Sequence, residues 1–250
     1  MDLALSGRTG LVTGASSGIG RAIALALGRE GVRLALTARR DERLHALADE
    51  IAAAGGAPPV TISCDFLLGD AAERIATAAL DEFEVVDILV NNAGGSRPLP
   101  LGSSDEQWDE ALTLNFIRHR QLTERLVRGM MEHGWGRVLN ITGKSEPDGI
   151  NGAFAAKAAM HAWAKGLSRE VGPRGVTVNS IPPGRISSEQ IERNYSSEYR
   201  QWQSEHEIPV GEYGRPTDIA DLACYLASPL ARYITGAVIP VDGGLRRYQF

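Results

Sequence analysis

Cysteines are rare in this sequence, and long apolar runs are missing. Cys64 and Cys224 are the two cysteines of the 250 residues, and they lie far apart without the spacing of metal ligands. We therefore expect neither a disulfide framework nor a bound metal, and we expect both thiols to be small core side chains. No run of about 18 apolar residues occurs, so no transmembrane helix is predicted.

Basic residues are not in excess either. The formal net charge is −5 at pH 7, whereas a nucleic-acid or anionic-membrane surface needs a basic patch. We therefore expect a small-molecule substrate as the partner, with no nucleic acid and no membrane. The amino terminus also lacks the basic segment and following apolar stretch of a signal peptide, which predicts a cytoplasmic protein.

What the sequence does contain is an alternation of short β-rich and longer helical segments. With 43% hydrophobic residues the chain can bury a full core, so we predict one domain over residues 1–250. Seven strands with intervening helices predict an α/β fold, a doubly wound parallel seven-stranded sheet of the Rossmann type. The predicted strands are Thr9–Thr13, Leu34–Thr37, Val60–Ser63, Ile88–Val90, Val138–Ile141, Val176–Ile181 and Val238–Val241. The predicted helices are approximately Gly18–Arg29, Glu42–Ala54, Asp70–Glu82, Asp105–Met131, Gly152–Val171 and Pro216–Leu226.

Two segments lack this regularity, and both follow predicted strands. Residues 143–151 and 182–209 carry Gly, Pro, Ser and charge. Ligands of open α/β sheets bind beyond the carboxyl ends of the strands, so we expect these segments to form the walls of a substrate site. The part from about residue 185 to 209 is interpreted as a substrate flap.

A glycine-rich turn connects the first predicted strand to the first predicted helix. Thr13–Gly20 reads TGASSGIG. Gly14 permits a turn with positive φ, Gly18 lets the backbone approach a pyrophosphate, and Gly20 lets helix and strand pack closely. The free N–H groups of the first helical turn then form an anion site. This pattern predicts dinucleotide binding; the alternative is an ordinary glycine-rich βα turn.

Several separated motifs agree with this interpretation. Taken in order along nearly the whole chain, they resemble the short-chain dehydrogenase/reductase family, which implies an NAD(P)-dependent oxidoreductase with a carbonyl or alcohol substrate. The matching segments are Thr13–Gly20 (TGxxxGxG), Asn91–Gly94 (NNAG), Asn179–Gly184 (N-x-I-x-P-G), Gly214–Pro216 (GRP), and Ile234–Gly236 with Val241–Gly244 (ITG and VDGG).

The resemblance assigns residues to the cofactor. Asp65 is implied to accept from the adenine amino group, unless it is a solvated loop acid, while the Ile186 backbone and the Ser188 hydroxyl would hold the nicotinamide carboxamide. Arg185 would meet an anionic substrate or serve as a charged helix cap on the flap. The cofactor residues assigned on this basis are Gly14, Ser16, Ser17, Gly18, Ile19, Gly20, Arg39, Asp65, Asn92, Ala93, Gly94, Lys157, Pro183, Gly184, Ile186 and Ser188.

The choice of cofactor depends on the residues after the second strand. An acid at this place bonds the ribose 2′-hydroxyl of NAD, whereas an arginine accommodates the 2′-phosphate of NADP. Here the sequence is Thr37-Ala38-Arg39-Arg40, and a guanidinium grips phosphate with paired donors. We therefore predict NADP(H), with NAD possible; Ser17, where many NADP-preferring relatives carry a second basic residue, weakens this preference.

The catalytic motifs of the family are only half present. Asn115 matches the family's asparagine, and Lys157 matches its lysine, which holds the nicotinamide ribose, although a solvated lysine is the alternative. Ala153 stands where the proton-transferring tyrosine is expected, and Gly143 stands at the position of the serine. All six tyrosines lie at or after Tyr195, so no shift of the alignment restores the phenol.

Substitute groups for the missing acid follow from position in the sequence. Lys144 and Ser145 are best placed, with an exposed polar loop as the alternative. Thr142, His161, Tyr195 and Tyr199 are further candidates, although His161 is expected at a helix-packing interface. The leading hypothesis is thus an NADP(H)-dependent oxidoreductase with a non-standard proton donor.

Two other functions stay open. One is a catalytically impaired dinucleotide-binding protein that acts as a sensor or partner subunit; the other is a non-redox enzyme on the same scaffold. Apolar faces on Asp105–Met131 and Gly152–Val171, with the pairing of such helices in the family, predict a homotetramer or homodimer.

Overall fold

The computed structural model describes residues 1–143 and 149–247, apart from the side chains of Gln190 and Asn194. Its framework is a six-stranded parallel sheet with the order β3-β2-β1-β4-β5-β6. The strands are β1 (Thr9–Thr13), β2 (Arg33–Ala38), β3 (Val60–Ser63), β4 (Ile88–Asn91), β5 (Gly136–Ile141) and β6 (Val176–Ile181). The predicted fold class, a doubly wound parallel sheet, is confirmed.

Helices cover both faces of the sheet. They are α1 (Gly18–Arg29), α2 (Asp41–Ala53), α3 (Ala71–Phe83), α4 (Asp105–Leu112), α5 (Arg118–His133), α6 (Gly152–Val171), α7 (Glu189–Asn194), α8 (Ser197–His206) and α9 (Pro216–Ala227). Fully buried side chains of α1 and α9 join the core on one face. Side chains of α3, α5 and α6 join the core on the other. Parallel strands buried on both faces explain why Leu11-Val12 of β1 and Ile88–Val90 of β4 are consecutive apolar residues.

The predicted seventh strand is wrong. Val238–Val241 makes only isolated parallel bridges, Ser180 to Val238 and Pro183 to Val241, beside β6. Backbone bonds from Ile239 and Val241 still reach the chain at the end of β6. Proline has no N–H to give a ladder, and Pro240 with the pair Pro182-Pro183 interrupts the pairing on both sides.

The single helix predicted over Asp105–Met131 is instead interrupted. A π-helical turn, Thr113–Ile117, separates α4 from α5. The Asn115 amide donates to the Ala111 carbonyl at 3.0 Å, an acceptor that a regular α-helix pairs with the backbone N–H of residue 115. The side chain therefore bonds to the backbone of the preceding turn at the place where the extra residue of the π-turn is accommodated.

The segment predicted as irregular over residues 182–209 contains two short helices. Ser188 caps α7 by accepting from the Ile191 N–H at 3.3 Å, and Ser196 caps α8 by accepting from the Tyr199 N–H at 3.2 Å. Such capping serines stabilise a first helical turn even where apolar periodicity is weak. The two serines were the feature of the sequence that indicated helix starts here, where the apolar periodicity did not.

Both cysteines are free and buried, as predicted. Over the ranges that the structure describes, no helix combines the length and the apolar character that crossing a bilayer requires. The strand order reverses between β1 and β4, which places a crevice at the carboxyl ends of these strands.

Candidate active site

One cavity of about 930 Å³ opens at this crevice and extends to the flap. Most of the residues predicted for the cofactor line it, although they come from separated segments of the chain. The predicted residues on its wall are Gly14, Ser16, Ser17, Gly18, Ile19, Arg39, Asp65, Asn92, Ala93, Gly94, Lys157, Pro183, Gly184, Ile186 and Ser188. Gly20 and Asn115 lie behind this wall, and Lys144 and Ser145 lie outside the described residues.

The glycine turn has the conformation that its sequence requires. Gly14 has a φ of +64°, and an added Cβ would lie 2.8 Å from the Ala93 Cα. Gly18 has a φ of +55°, and a Cβ added there would have nothing within 4 Å, so its backbone faces open space. Gly20 packs against Asn92 and the Gly14 carbonyl. A side chain at Gly14 or Gly20 would meet the wall, whereas one at Gly18 would fill the cradle.

Asn92 holds the glycine turn in place. Its amide donates to the carbonyls of Thr13 at 2.9 Å and Gly14 at 3.2 Å. The Thr13 hydroxyl in turn accepts from the backbone N–H groups of Asn92 and Ala93, at 2.8 and 3.0 Å. The segments that follow β1 and β4 are therefore fixed to each other. The donors of the Asn92 amide are engaged with the backbone of the glycine turn.

The first turn of α1 is prepared for an anion. Ser17 is its N-cap but makes no side-chain capping bond, and no acidic residue stands in the first turn. The free N–H groups there carry the positive end of the helix dipole. These features fit a phosphate group, and Gly18 leaves room for its approach.

Arg40 supplies a second guanidinium that the sequence did not predict at this site. Its Nη2 donates to the Ser17 Oγ at 3.0 Å and lies 3.3 Å from the Ser16 Oγ. Arg39 lines the same end of the cavity. The only signal in the sequence was the adjacency of two arginines, because the approach of Arg40 to Ser17 depends on how β2 lies beside β1.

On the β3 side of the cavity, Asp65 follows the strand and lies on the wall. Its Oδ1 accepts from the Leu67 N–H at 3.0 Å, which orients the carboxylate at the start of the loop. Cys64 precedes it, and burial raises the pKa of that thiol. The thiol is therefore an inert, protonated part of the wall.

Lys157 lies at the inner end of the cavity. Its Nζ donates to the Thr142 carbonyl at 2.7 Å, directly after β5. Burial lowers the pKa of the ammonium to about 8. A Cβ added to Gly143 would lie 3.3 Å from the Lys157 Cδ and 4.0 Å from its Nζ. The position expected for serine therefore faces the lysine, although it carries no side chain.

Two histidines flank this lysine. The His161 Nε2 lies 2.8 Å from the Thr142 hydroxyl, and the ring is not among the residues that line the cavity; its place at a helix-packing interface stays a prediction. The His119 Nε2 lies 2.6 Å from the Ala93 carbonyl. Burial lowers the pKa of His119 to about 4 and also lowers that of His161, with Arg246 and Lys157 contributing to the latter. Both rings are neutral near pH 7.

His119 was missed in the sequence. It stands one helical turn after Asn115, and this spacing was the available signal. Its Nδ1 lies 3.2 Å from the Asn91 Oδ1 at the end of β4. A neutral ring carries one N–H, and the shorter contact, from Nε2 to the Ala93 carbonyl, is the hydrogen bond that connects α5 to the Asn91–Gly94 segment. It therefore braces the wall from behind.

Asn115 makes contacts behind the wall. Its amide also donates to the Gly95 carbonyl at 3.2 Å, and its Oδ1 accepts from the Gly95 N–H at 3.1 Å. A Cβ on Gly94 would lie 2.8 Å from the same Oδ1. In this arrangement the side chain fixes the Gly94-Gly95 turn.

Ala153 lies in the first turn of α6 and lines the cavity with a methyl group. Phe154 beside it also lines the cavity. Asn151 caps this helix by accepting from the Ala153 N–H at 2.9 Å. The end of α6 that faces the cavity is thus ordered, and it carries no hydroxyl at position 153.

The flap is attached to α2 at one end of the cavity. Arg43 of α2 donates to both carboxylate oxygens of Glu189 at 2.8 and 3.0 Å, and this contact lowers the pKa of Glu189. Arg185 lies 3.4 Å from Glu207 and over the Tyr195 ring. A continuous stack of rings runs along the flap, formed by Tyr195, Tyr199, Trp202 and His206.

Comparison with known proteins places this arrangement in a family. A family model described as enoyl-(acyl carrier protein) reductase matches residues 14–246. The 3-oxoacyl-(acyl-carrier-protein) reductase FabG of Aquifex aeolicus is 35% identical over 249 residues, which cover 98% of this chain and 100% of that protein. The chain belongs to the short-chain dehydrogenase/reductase family, a family of NAD(P)-dependent oxidoreductases.

Solved structures agree over the whole length. L-sorbose reductase from Gluconobacter frateurii, in complex with NADPH and L-sorbose, has a TM-score of 0.92 at 28% identity, covering 99% of this chain and 100% of that one. A 7α-hydroxysteroid dehydrogenase, in complex with NADH and 7-oxo glycochenodeoxycholic acid, has a TM-score of 0.91 at 29% identity, covering 97% and 96%. These relatives differ in substrate and in cofactor, so the fold alone selects neither.

Proposed function

We propose that this protein is an NADP(H)-dependent oxidoreductase that interconverts a carbonyl and an alcohol with a non-standard proton donor. The observation that carries this proposal is the shared cavity of the glycine turn, the Asn91–Gly94 segment and Lys157. Ala153 and Gly143 are its atypical feature, because neither carries the hydroxyl that the family resemblance leads us to expect.

Two guanidiniums support NADP(H) as the cofactor. Arg39 and Arg40 lie at the end of β2, and Arg40 bonds to Ser17 at the start of α1. A 2′-phosphate beside them would gain charge-assisted bonds that the 2′-hydroxyl of NADH cannot make. Ser17 stands where many relatives carry a basic residue in the glycine turn, and here the guanidinium of Arg40, which follows β2, lies beside it.

Binding constants test this choice. We expect NADPH to bind more tightly than NADH, and we expect Arg39→Ser and Arg40→Ser each to weaken NADPH binding by about 10- to 100-fold while leaving NADH binding unchanged. Arg33→Ser, at the opposite end of β2, is the matched control and should change neither constant. Tighter binding of NADH by the unaltered protein would contradict the proposal.

Bound NADPH would supply the hydride for the carbonyl carbon. The protein's own residues bind and orient: α1 and the arginines hold phosphate, Lys157 holds the nicotinamide ribose, and the Ile186 and Ser188 region contacts the carboxamide. Asn115 and His119 keep the cavity wall fixed from behind. A missing positioned acid costs about 10²- to 10⁴-fold in rate, so another group must give the proton if turnover is fast.

The second candidate is a dinucleotide-binding protein without turnover, a sensor or partner subunit. Ala153 and Gly143 favour it. Incubation with NADPH and a panel of ketones and aldehydes, followed at the nicotinamide absorbance, separates the two. Turnover that Lys157→Ala abolishes supports the enzyme, whereas tight NADPH binding without turnover on any substrate supports the binding protein.

We also propose a single domain over residues 1–250 in which residues 185–209 form a flap over the substrate end. The Arg43–Glu189 ion pair supports this assignment, because it connects the flap to the nucleotide end.

We also propose that the protein is a homotetramer or a homodimer. Phe116 of the π-turn and Trp163 of α6 form an edge-to-face pair and are only partly buried, which leaves aromatic surface for the pairing of these helices. A monomeric mass by light scattering would contradict it.

A further inference from the structure

The inner end of the cavity contains a cation that can release its proton. Among the described residues that line the cavity, Lys157 is the one lysine; the other cations there are arginines, which stay charged at any working pH. These arginines are Arg39, Arg40, Arg97, Arg185 and Arg193. The whole chain has only three lysines among its 26 basic residues, so a lysine at this place is unusual for the sequence.

The ammonium is held on one side and has donors to spare. One N–H reaches the Thr142 carbonyl at 2.7 Å, and an ammonium carries three. Gly143 approaches the lysine stem with a bare backbone, and Ala153 lies four residues earlier on the same helix. Neither position inserts a hydroxyl between Nζ and the cavity, so the remaining donors are left for a ligand.

The polar groups around Lys157 are already engaged with other parts of the protein. The Thr142 hydroxyl is paired with His161, and the Asn115 amide is committed to the Ala111 and Gly95 carbonyls. His119 and His161 are neutral, because burial lowers the pKa of each. Lys157 and Arg246 are thus the positive charges that act on these rings, and of the two only Lys157 is among the residues that line the cavity.

We propose that the ammonium of Lys157 is itself the proton donor for carbonyl reduction, in direct contact with the substrate oxygen. This inference rests on the proposed function. It assigns to the lysine the proton transfer that a tyrosine performs in the family pattern. Burial also lowers the pKa of the ammonium to about 8, and an acid whose pKa lies near the working pH is the most effective one.

The proton and electron balance is simple. A hydride from bound NADPH would add to the carbonyl carbon, and the cofactor would be left as NADP⁺. The electron pair of the C=O π bond moves to oxygen, which takes a proton from Nζ. An N–H bond breaks and an O–H bond forms, leaving an alcohol and a neutral amine. The amine then regains a proton from water, and alcohol oxidation follows the same steps in reverse.

The first test needs no activity. The protein is labelled with ¹³C at lysine Cε, and the three lysine signals are followed by NMR against pH; Lys157→Arg and Lys165→Arg assign them. Lys165 is the matched reference, since it lies on the same helix, is exposed and donates to the Gly236 carbonyl. We expect the Lys157 signal to titrate near pH 8. Titration above pH 10 would overturn the proposal.

The second test uses the substrate panel. We expect ketone reduction to fall as the pH rises through about 8, where the ammonium is lost, and alcohol oxidation to rise over the same range. Lys157→Arg keeps the charge but cannot release a proton, so reduction should fall at least about 100-fold while the NADPH dissociation constant changes less than about tenfold. Lys165→Arg should retain the rate.

The outcomes separate the two levels of the proposal. No turnover of any substrate by the unaltered protein defeats the proposed function. Turnover that survives in Lys157→Arg defeats the lysine as donor and leaves the oxidoreductase standing. Loss of the rate in Tyr195→Phe with Lys157→Arg still active would transfer the role to the flap tyrosine, which also lines the cavity.

Discussion

His119 makes the fold sensitive to acid in a defined pH range. Its ring on α5 is 2% exposed, and burial lowers its pKa from the ordinary 6.5 to about 4. The unfolded chain accepts a proton on this ring at a higher pH than the folded protein does, so the unfolded state binds more protons in between. The stability contribution is therefore fully present above pH 6.5 and is lost as the pH falls toward 4.

The size of this loss follows from the shift. One pKa unit is worth about 1.4 kcal/mol, so the whole shift corresponds to about 3 kcal/mol. Linkage puts about 2 kcal/mol of it between pH 7 and pH 5. A domain is stable by only about 5–15 kcal/mol, so this loss from a single ring is measurable.

Urea unfolding at pH 7 and pH 5 measures it. The comparison is with His119→Gln, whose amide retains a donor but does not titrate. We expect the unaltered protein to lose about 2 kcal/mol more than this variant between the two pH values. His133→Gln, at the exposed end of the same helix, should behave like the unaltered protein. Equal losses in the unaltered protein and His119→Gln would refute the reasoning.

Two further predictions concern the nucleotide end. Gly14→Ala places a methyl 2.8 Å from the wall at a positive φ, so we expect loss of NADPH binding and a fall in unfolding free energy of more than about 2 kcal/mol. The methyl group of Gly18→Ala would enter open space, so we expect the free energy of unfolding to fall by only about 1 kcal/mol. The same methyl group would fill the space in front of the glycine turn and weaken NADPH binding. Equal losses of unfolding free energy for the two variants in urea would contradict this contrast. Glu189→Gln removes the charge pair with Arg43, so stopped-flow release of NADPH should be about 2- to 5-fold faster with an unchanged unfolding midpoint. Glu192→Gln on the same short helix is its control, and equal release rates for the two variants would argue against a tethered flap.

Local patterns were sufficient for much of the fold. The TGASSGIG turn predicted a strand, a bend and a helix start because positive φ values there require glycine, and the structure has φ values of +64° and +55° at Gly14 and Gly18. The alternation of segments predicted the parallel sheet. The seventh strand was wrong because three prolines remove ladder donors that the apolar pattern does not reveal.

The alternation of strands and helices, the glycine turn and the position of Ala153 four residues before Lys157 could all be read from neighbouring residues, because each is a local property of the chain. Which distant groups meet is a matter of tertiary packing. That packing brought Arg40 to Ser17, His161 to Thr142 and the Lys157 ammonium to a backbone carbonyl. Such contacts depend on strand order and helix packing, and burial then changes the pKa of the groups that meet.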